Sequence, residues 1–279
     1  MKNLRFFYFT GIFVFLYLPI AVLVVNGFNK NRYGMRWDGF TLEWFVSMAR
    51  NTSLMEAARH SLTVAVCAAT LATIIGALAG IGLTRYRFPG RRIIQGTTIT
   101  LMMAPDIILA IALLVLFVSM GISLGFWSLL LAHITFCLPF TIMTVVARLQ
   151  GFDPNLLDAA RDLGASEKSI VTRVLLPMMR PALISCWLLS FTLSLDDVIV
   201  SSFVTGPSYD VLPLKIFSMV KVGVKPEVNA LATLMVLLSL LLVVVSQIIL
   251  KEKKGYEKLD QGLRSGTGHA PRRNSGNSR

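Results

Sequence analysis

Three carboxylates stand in stretches that carry no other charge. Asp106 is the only Asp, Glu, Lys or Arg between Ile93 and Ala147, and Asp196 and Asp197 are the only ones between Ala182 and Tyr209. An ionised Asp near the centre of a bilayer helix costs roughly 2.5–3.5 kcal/mol even on the mild insertion scale. No Lys or Arg in those stretches neutralises them. They call for a cationic ligand or ion path, for a proton held in a relay, or for a structural task at an irregular helix end. Adjacent helix positions point about 100° apart, so Asp196 and Asp197 cannot both face one point. One suits a central path; the other suits a cap or a bond to a neighbouring helix. Ser190, Thr192, Ser194, Ser201 and Ser202 make the same stretch polar for lipid, which fits a bundle interior. Pro105 beside Asp106 favours a local break that frees backbone carbonyls. Among cationic ligands, a polyamine would match spaced carboxylates and aromatic faces.

Other chemistry is not equipped. The chain has no Gly-rich loop ending in Lys-Ser/Thr, no HExxH, no CxxC and no GxSxG. Cys67, Cys137 and Cys186 lack metal-ligand spacing and read as small buried hydrophobes. His133 falls mid-span, either bonding a neighbouring helix or lining a path. No cofactor, metal or catalytic role is expected.

The elements that position the carboxylates are apolar and long. The chain has 279 residues, of which 54% are hydrophobic and 15% charged, with a mean hydropathy of +0.67. A soluble domain carries about 25% charged residues. A span needs roughly 20 mostly apolar residues, and six stretches qualify: about 6–28, 60–83, 97–118, 124–147, 183–205 and 228–250. The first follows Lys2 and Arg5 but is too long for a signal core, and reads as an uncleaved span. The formal net charge of +12 would suggest nucleic acid on a soluble protein. Here its distribution sets orientation instead, and no nucleic acid is expected. With the N-terminus inside, the inner loops and tail collect the larger share of basic residues, including Arg85, Arg87, Arg91 and Arg92 in one short loop. Both termini then lie in the cytoplasm.

Residues 29–59 form an outer segment. Leu42, Phe45, Val46 and Ala49 recur at helical spacing, which predicts a short surface helix with Trp37 and Trp44 at headgroup level or in contact with substrate. Gly76 and Gly80, with Ala72, form a small-residue stripe that lets helices approach closely in lipid. On the inner side, residues 148–182 predict two short helices. Asp153 caps the first, with Pro154 in its opening turn. Gly164 supplies the turn. Ser166 caps the second, which runs to Leu176 and stops at Pro177. Such a pair either rests on the membrane or docks a cytoplasmic partner. The tail from Gly262 is Gly/Ser/Asn/Arg-rich and reads as disordered. The domain reading is a permease-like membrane domain over 1–259 and a tail over 260–279.

The run Asp158-Ala159-Ala160-Arg161-Asp162-Leu163-Gly164, then nine residues, then Val174-Leu175-Leu176-Pro177, resembles the EAA signature of bacterial ABC importer permeases. Asp158 stands where the signature has Glu, and Val174 where it has Ile. The stretches Ala104–Ile107, His133–Pro139, Phe191–Val198, Ser202–Pro207, Lys215–Val224 and Pro226–Ala230 are similar to the spermidine/putrescine branch of that family. The likeness covers roughly residues 10–250. It implies an all-α polytopic fold of six transmembrane helices, the type I importer permease, in the bacterial inner membrane. It implies ATPase docking through Asp158, Ala159, Ala160, Gly164, Val174, Leu176 and Pro177, and a polyamine path at Asp106, Asp196 and Asp197. The implied partners are a related permease subunit as heterodimer, two copies of an ATPase subunit and an external polyamine-binding protein. The rivals are a proton-coupled secondary transporter, a membrane scaffold, and an ABC permease for another small cation.

Overall fold

The computed structural model describes residues 2–241 apart from Tyr33, Met35, Ser208, Val224, Lys225, Leu238 and Ser239. Helix α1 (Lys2–Gly27) carries an apolar span over Phe6–Gly27 whose membrane-length window has no buried residue. A loop over 28–42 leads to α2 (Glu43–Arg50), a short helix where the spacing predicts one. Helix α3 (Thr52–Arg85) then runs 34 residues, about 51 Å at 1.5 Å per residue. Its first two turns fall within the expected outer segment of 29–59. The Asn51 side chain accepts the Leu54 amide at 3.2 Å, and Leu54, Ala57 and Ser61 are already buried. An N-cap and a buried face move the helix start eight residues earlier than charge alone suggests.

The expected third span, 97–118, is broken. Helix α4 (Arg91–Met103) and α5 (Asp106–Ser119) meet at 115°. Pro105 is the cause: a residue before proline is pushed out of the helical region, and Ala104 sits at φ −70°, ψ 138°. Helix α6 (Phe126–Gln150) is continuous through a buried Pro139.

The inner element also departs from expectation. After α7 (Pro154–Asp162) comes α8 (Glu167–Ser169), which continues through a π-helical segment, Ile170–Leu175, into α9 (Leu176–Leu195). The chain does not stop at Pro177. The wider π turn directly ahead of it relieves the ring's clash with the carbonyl four residues back. The expected span 183–205 therefore becomes a 29-residue helical run, Glu167–Leu195, followed by a separate α10 (Ile199–Val204). Helix α11 (Leu212–Val222) follows.

Among the described residues four helices are long and apolar enough to cross a membrane, or five with α4 and α5 as one broken span. The expected sixth span, 228–250, is entered by the apolar helix Pro226–Leu237; residues 242–250 and the tail from 260 lie outside the described residues.

Helices α3, α6 and α9 pack mutually and form the core. Gly76 and Gly80 are the close-approach points. A Cβ on Gly76 would lie 2.0 Å from Thr141 Oγ1, and one on Gly80 2.4 Å from Val145 Cγ1. Thr141 Oγ1 donates to Ala72 O at 3.1 Å, a hydrogen bond between helices that the small stripe makes possible. One apolar cluster joins Val64, Leu113, Phe117, Leu129, Val200 and Val204; a second joins Ala77, Ile81, Val145, Leu175 and Met179. The first holds the broken segment and α10 against α3 and α6. The second holds the inner element.

Candidate functional site

The chain leaves helical geometry at the acidic pair, and the break separates the two side chains. Asp196 ends α9 at φ −100°, ψ 0°, with its amide donating to Thr192 O at 3.2 Å. Its carboxylate is exposed and has no ion pair with a described residue. It closes a stripe of exposed residues on α9: Ser185, Leu189, Thr192 and Asp196. These recur at three- and four-residue steps, hence on one face.

Asp197 turns the other way. Oδ1 accepts the Val200 amide at 3.2 Å and Oδ2 the Ser201 amide at 2.7 Å, so it caps α10. Its side chain is 6% exposed, and Oδ2 lies 3.6 Å from His133 Nε2. His133 Nδ1 is 2.6 Å from Ser194 Oγ, and Nε2 is 3.2 Å from Ser201 Oγ. The His133 ring thus ties α6 to the end of α9 and the start of α10. Both ring nitrogens are used inside the protein.

Asp106 opens α5 just past the break and is exposed, also without an ion pair among the described residues. The helix start suits its charge, since the N-terminal end of a helix is electropositive. Of the polar residues singled out, Ser190, Ser194 and Ser201 are buried, while Thr192 and Ser202 are exposed.

The two outer tryptophans differ. Trp37 is 53% exposed. Trp44 is half-buried and donates Nε1–H to Asn29 O at 2.8 Å. Asn29 is the hub of the outer loop. Its Nδ2 donates to Arg36 O at 2.7 Å, and its Oδ1 accepts from the amides of Asn31 and Asp38 at 3.0 and 3.2 Å. Phe28 stacks on Phe40 and packs against Phe45, closing the loop onto α2.

On the inner side, Asp153 accepts the Asn155 amide at 3.0 Å and starts α7. Gly164 adopts φ +75°, and Ala165 N donates to Ala160 O at 3.1 Å, the bond that closes a glycine-terminated helix. Ser166 Oγ accepts the Ser169 amide at 3.3 Å. Asp158, Ala159 and Gly164 are exposed, while Ala160, Val174, Leu176 and Pro177 are half-buried. Leu157 and Val171 pack against the second core cluster, whereas Leu156 and Leu163 stay exposed.

An ion chain locks this element to the bundle. Glu167 accepts Arg85 Nη2 at 2.9 Å and Arg161 at 3.1 Å, and Arg161 also donates to Asp158 at 3.0 Å. The Glu167 hydrogen bond and charge push the Arg161 guanidinium's pKa up. Arg85 closes α3, and its side chain is only 6% exposed. Arg85, Glu167 and Asn29 are site residues that sequence reasoning misses. Arg85 read as one more inner basic residue, and nothing in its spacing announces a partner 82 positions away.

The fold is that of ABC importer permeases. The chain superposes on a bacterial ABC transporter involved in alginate import with a TM-score of 0.70 at 14% identity, covering 90% of this chain and 95% of that one. On the MetNI methionine ABC transporter the TM-score is 0.61 at 21% identity, over 71% and 95% of the two chains. Residues 72–251 match the family described as "Binding-protein-dependent transport system inner membrane component", and the chain belongs to that family of multi-pass inner-membrane transport subunits. It is 57% identical over 252 residues to the spermidine/putrescine transport system permease protein PotC of Escherichia coli K12, covering 90% of this chain and 96% of that protein. To the PotC protein of Haemophilus influenzae it is 57% identical over 241 residues, covering 86% and 94%. To the putrescine transport system permease protein PotI of Escherichia coli K12 it is 41% identical over 230 residues, covering 80% and 82%.

Proposed function

We propose that the chain is the membrane-spanning permease of an ATP-driven polyamine importer, with spermidine and putrescine as substrates. The observation that carries this reading is its 57% identity to spermidine/putrescine permeases over nearly the whole of both chains. Two exposed carboxylates without an internal cation, Asp106 and Asp196, agree with it. In this reading they receive the ammonium groups, because charge-assisted hydrogen bonds to carboxylate are about twice as strong as neutral ones. Asp197 acts from behind, holding α10 and the end of α9 in place. Trp37 offers an open aromatic face to a cation, while Trp44 shapes the outer loop.

A related permease subunit supplies the other half of the path. An external binding protein delivers substrate to the loops at 29–59 and 206–227. Of two ATPase subunits, one docks on residues 154–177 of this chain from the cytoplasm, where both termini also lie, and the chain crosses the membrane six times. The exposed surface of Asp158, Ala159, Leu163 and Gly164 supports the docking. Its tie to Arg85 supports the transfer of motion.

The test is uptake of labelled spermidine and putrescine into proteoliposomes holding the permease pair and ATPase, with external binding protein and internal ATP. Uptake is expected only in the complete, ATP-loaded system. Gly164→Leu is expected to lower ATP-driven uptake while leaving substrate-path residues untouched, since φ +75° is strained for any side chain. Uptake by this chain alone, driven by a pH gradient without ATP, would overturn the assignment.

A further inference from the structure

A second surface is built for a different ligand. Between α4 and α6 lies a groove of about 250 Å³, lined by Ile94, Thr98 and Leu101 on one side and Leu138, Pro139 and Ile142 on the other. Two of its three hydroxyls are spent internally: Thr98 Oγ1 donates to Ile94 O at 2.8 Å, and Thr135 Oγ1 to Leu131 O at 2.8 Å, which leaves Thr97. The rest of the lining is methyl and methylene surface with no charged side chain, so a polyamine finds no counter-charge there. One turn of an α-helix, about 10 Å across and 5.4 Å long, needs roughly 420 Å³. A partner helix would rest on the groove rather than fill it. A hydrocarbon chain is the shape that fits.

The charge at one end of the groove specifies the rest. Residues 91, 94, 98 and 101 recur at three- and four-residue steps, so Arg91 continues the lining face one turn below Ile94. Arg92 follows it, and Arg87 stands in the preceding turn. None of these three has an ion pair among the described residues, in contrast to Arg85 and Arg161, which share Glu167. The first turn of α4 has no acidic residue and no side-chain cap. Among the described residues this positive charge has no acidic partner, and it stands at one end of an apolar slot.

We propose that the α4–α6 groove binds an anionic phospholipid, with an acyl chain against Ile94, Leu101 and Ile142 and the headgroup phosphate at Arg91, since Arg92 points about 100° further from the lining face. Basic pockets between transmembrane helices are where anionic headgroups are recognised. The site is independent of the substrate path, and the broken α4–α5 segment it touches is the one that carries Asp106.

The test uses the assembled permease–ATPase complex in detergent, titrated with phosphatidylglycerol or phosphatidylcholine of the same acyl chains and followed by native mass spectrometry. Retention of phosphatidylglycerol over phosphatidylcholine is expected. Arg91→Gln should lower that preference about fivefold, the worth of one basic residue at an anionic surface. Arg91→Lys should retain it, which also shows that the segment folds, and Arg92→Gln should lower it less than Arg91→Gln does. Ile94→Phe should fill the groove and displace both lipids. Unchanged preference in Arg91→Gln overturns the proposal. So does competition by inorganic phosphate alone, which would make the site a bare anion site. A disulfide between Ile94→Cys and a cysteine on the partner permease would assign the groove to that subunit and overturn it equally.

Discussion

Asp196 and Asp197 are adjacent in sequence and opposite in role, and paired substitutions separate them. Asp197→Ala removes the acceptors of two backbone amides, at 3.2 and 2.7 Å, from a side chain that is 6% exposed. Losing a helix cap costs about 0.5–2 kcal/mol, and a buried donor left unpaired costs about 1–3 kcal/mol. The expected destabilisation is about 2–4 kcal/mol from those two sources. Asp197→Asn keeps a capping oxygen and should lose about 1 kcal/mol, because Asn caps as well as Asp does. Asp196 has no ion pair among the described residues and is exposed, so Asp196→Ala should stay within about 0.5 kcal/mol of the parent. Transport should respond in the reverse order. A hydrogen bond to a charged group is worth about 1.5–3 kcal/mol, so Asp196→Asn should lower polyamine uptake efficiency about 10- to 150-fold. The assays are denaturant midpoints of the assembled permease and initial uptake rates in proteoliposomes. The division of roles fails if Asp196→Ala unfolds as early as Asp197→Ala. It fails also if Asp196→Asn transports normally while a fully stable Asp197→Asn does not.

The glycine seam makes a second test: Gly76→Ala should destabilise by about 1–3 kcal/mol, because its Cβ would overlap Thr141 and crowd the Ile142 amide at 3.3 Å. Gly82→Ala, on the same helix with nothing within 4 Å, should instead stabilise by up to about 1 kcal/mol; equal thermal midpoints for the two would refute the seam. At the outer loop, Asn29→Ala deletes three hydrogen bonds from a side chain that is 1% exposed, about 3 kcal/mol at about 1 kcal/mol each. Amide exchange should accelerate across the loop between Phe28 and Leu42, including the Lys30–Gly39 and Thr41–Phe28 bonds, while α3 and α6 keep their protection.

Which parts were legible in the sequence follows from the range of the forces involved. The inner helix starts are local: Asp153, Pro154, Gly164 and Ser166 act on their own turns, and each acts where its type predicts. The Gly76–Gly80 stripe is also local, and it packs as such stripes do in lipid. Span boundaries were less legible because charge-free length does not report where a helix bends. The break at Pro105 follows from proline chemistry, but its 115° angle depends on Leu113 and Phe117 being held against α3 and α6. The passage of the chain through Pro177 is invisible to a proline rule, since the π segment ahead of it forms only with Ile170 and Leu175 buried. The sorting of Asp196 from Asp197 needed His133, more than 60 residues away, and no periodicity carries that.

The position of Asp196 has a mechanical consequence for the proposed coupling. The helical run from Glu167 to Leu195 begins at the docking element and ends at the carboxylate that faces the exposed stripe. At 1.5 Å per residue it is about 43 Å long, enough to cross the hydrocarbon layer. Its inner end is held twice, by Glu167 shared between Arg85 and Arg161, and by Leu175 and Met179 in the core with Leu157 and Val171 packed on them. Its outer end is held by Ser194 on His133. A displacement at α8 therefore reaches Asp196 along one element, with no loop between to absorb it. The place where it can yield is the π segment, whose wide turn is the costliest stretch of the run to keep regular. Coupling needs an element with two arrangements rather than a continuous wire, and Ile170–Leu175 lies between α8 and α9, where a change of register would rotate α9, the Asp196 face included.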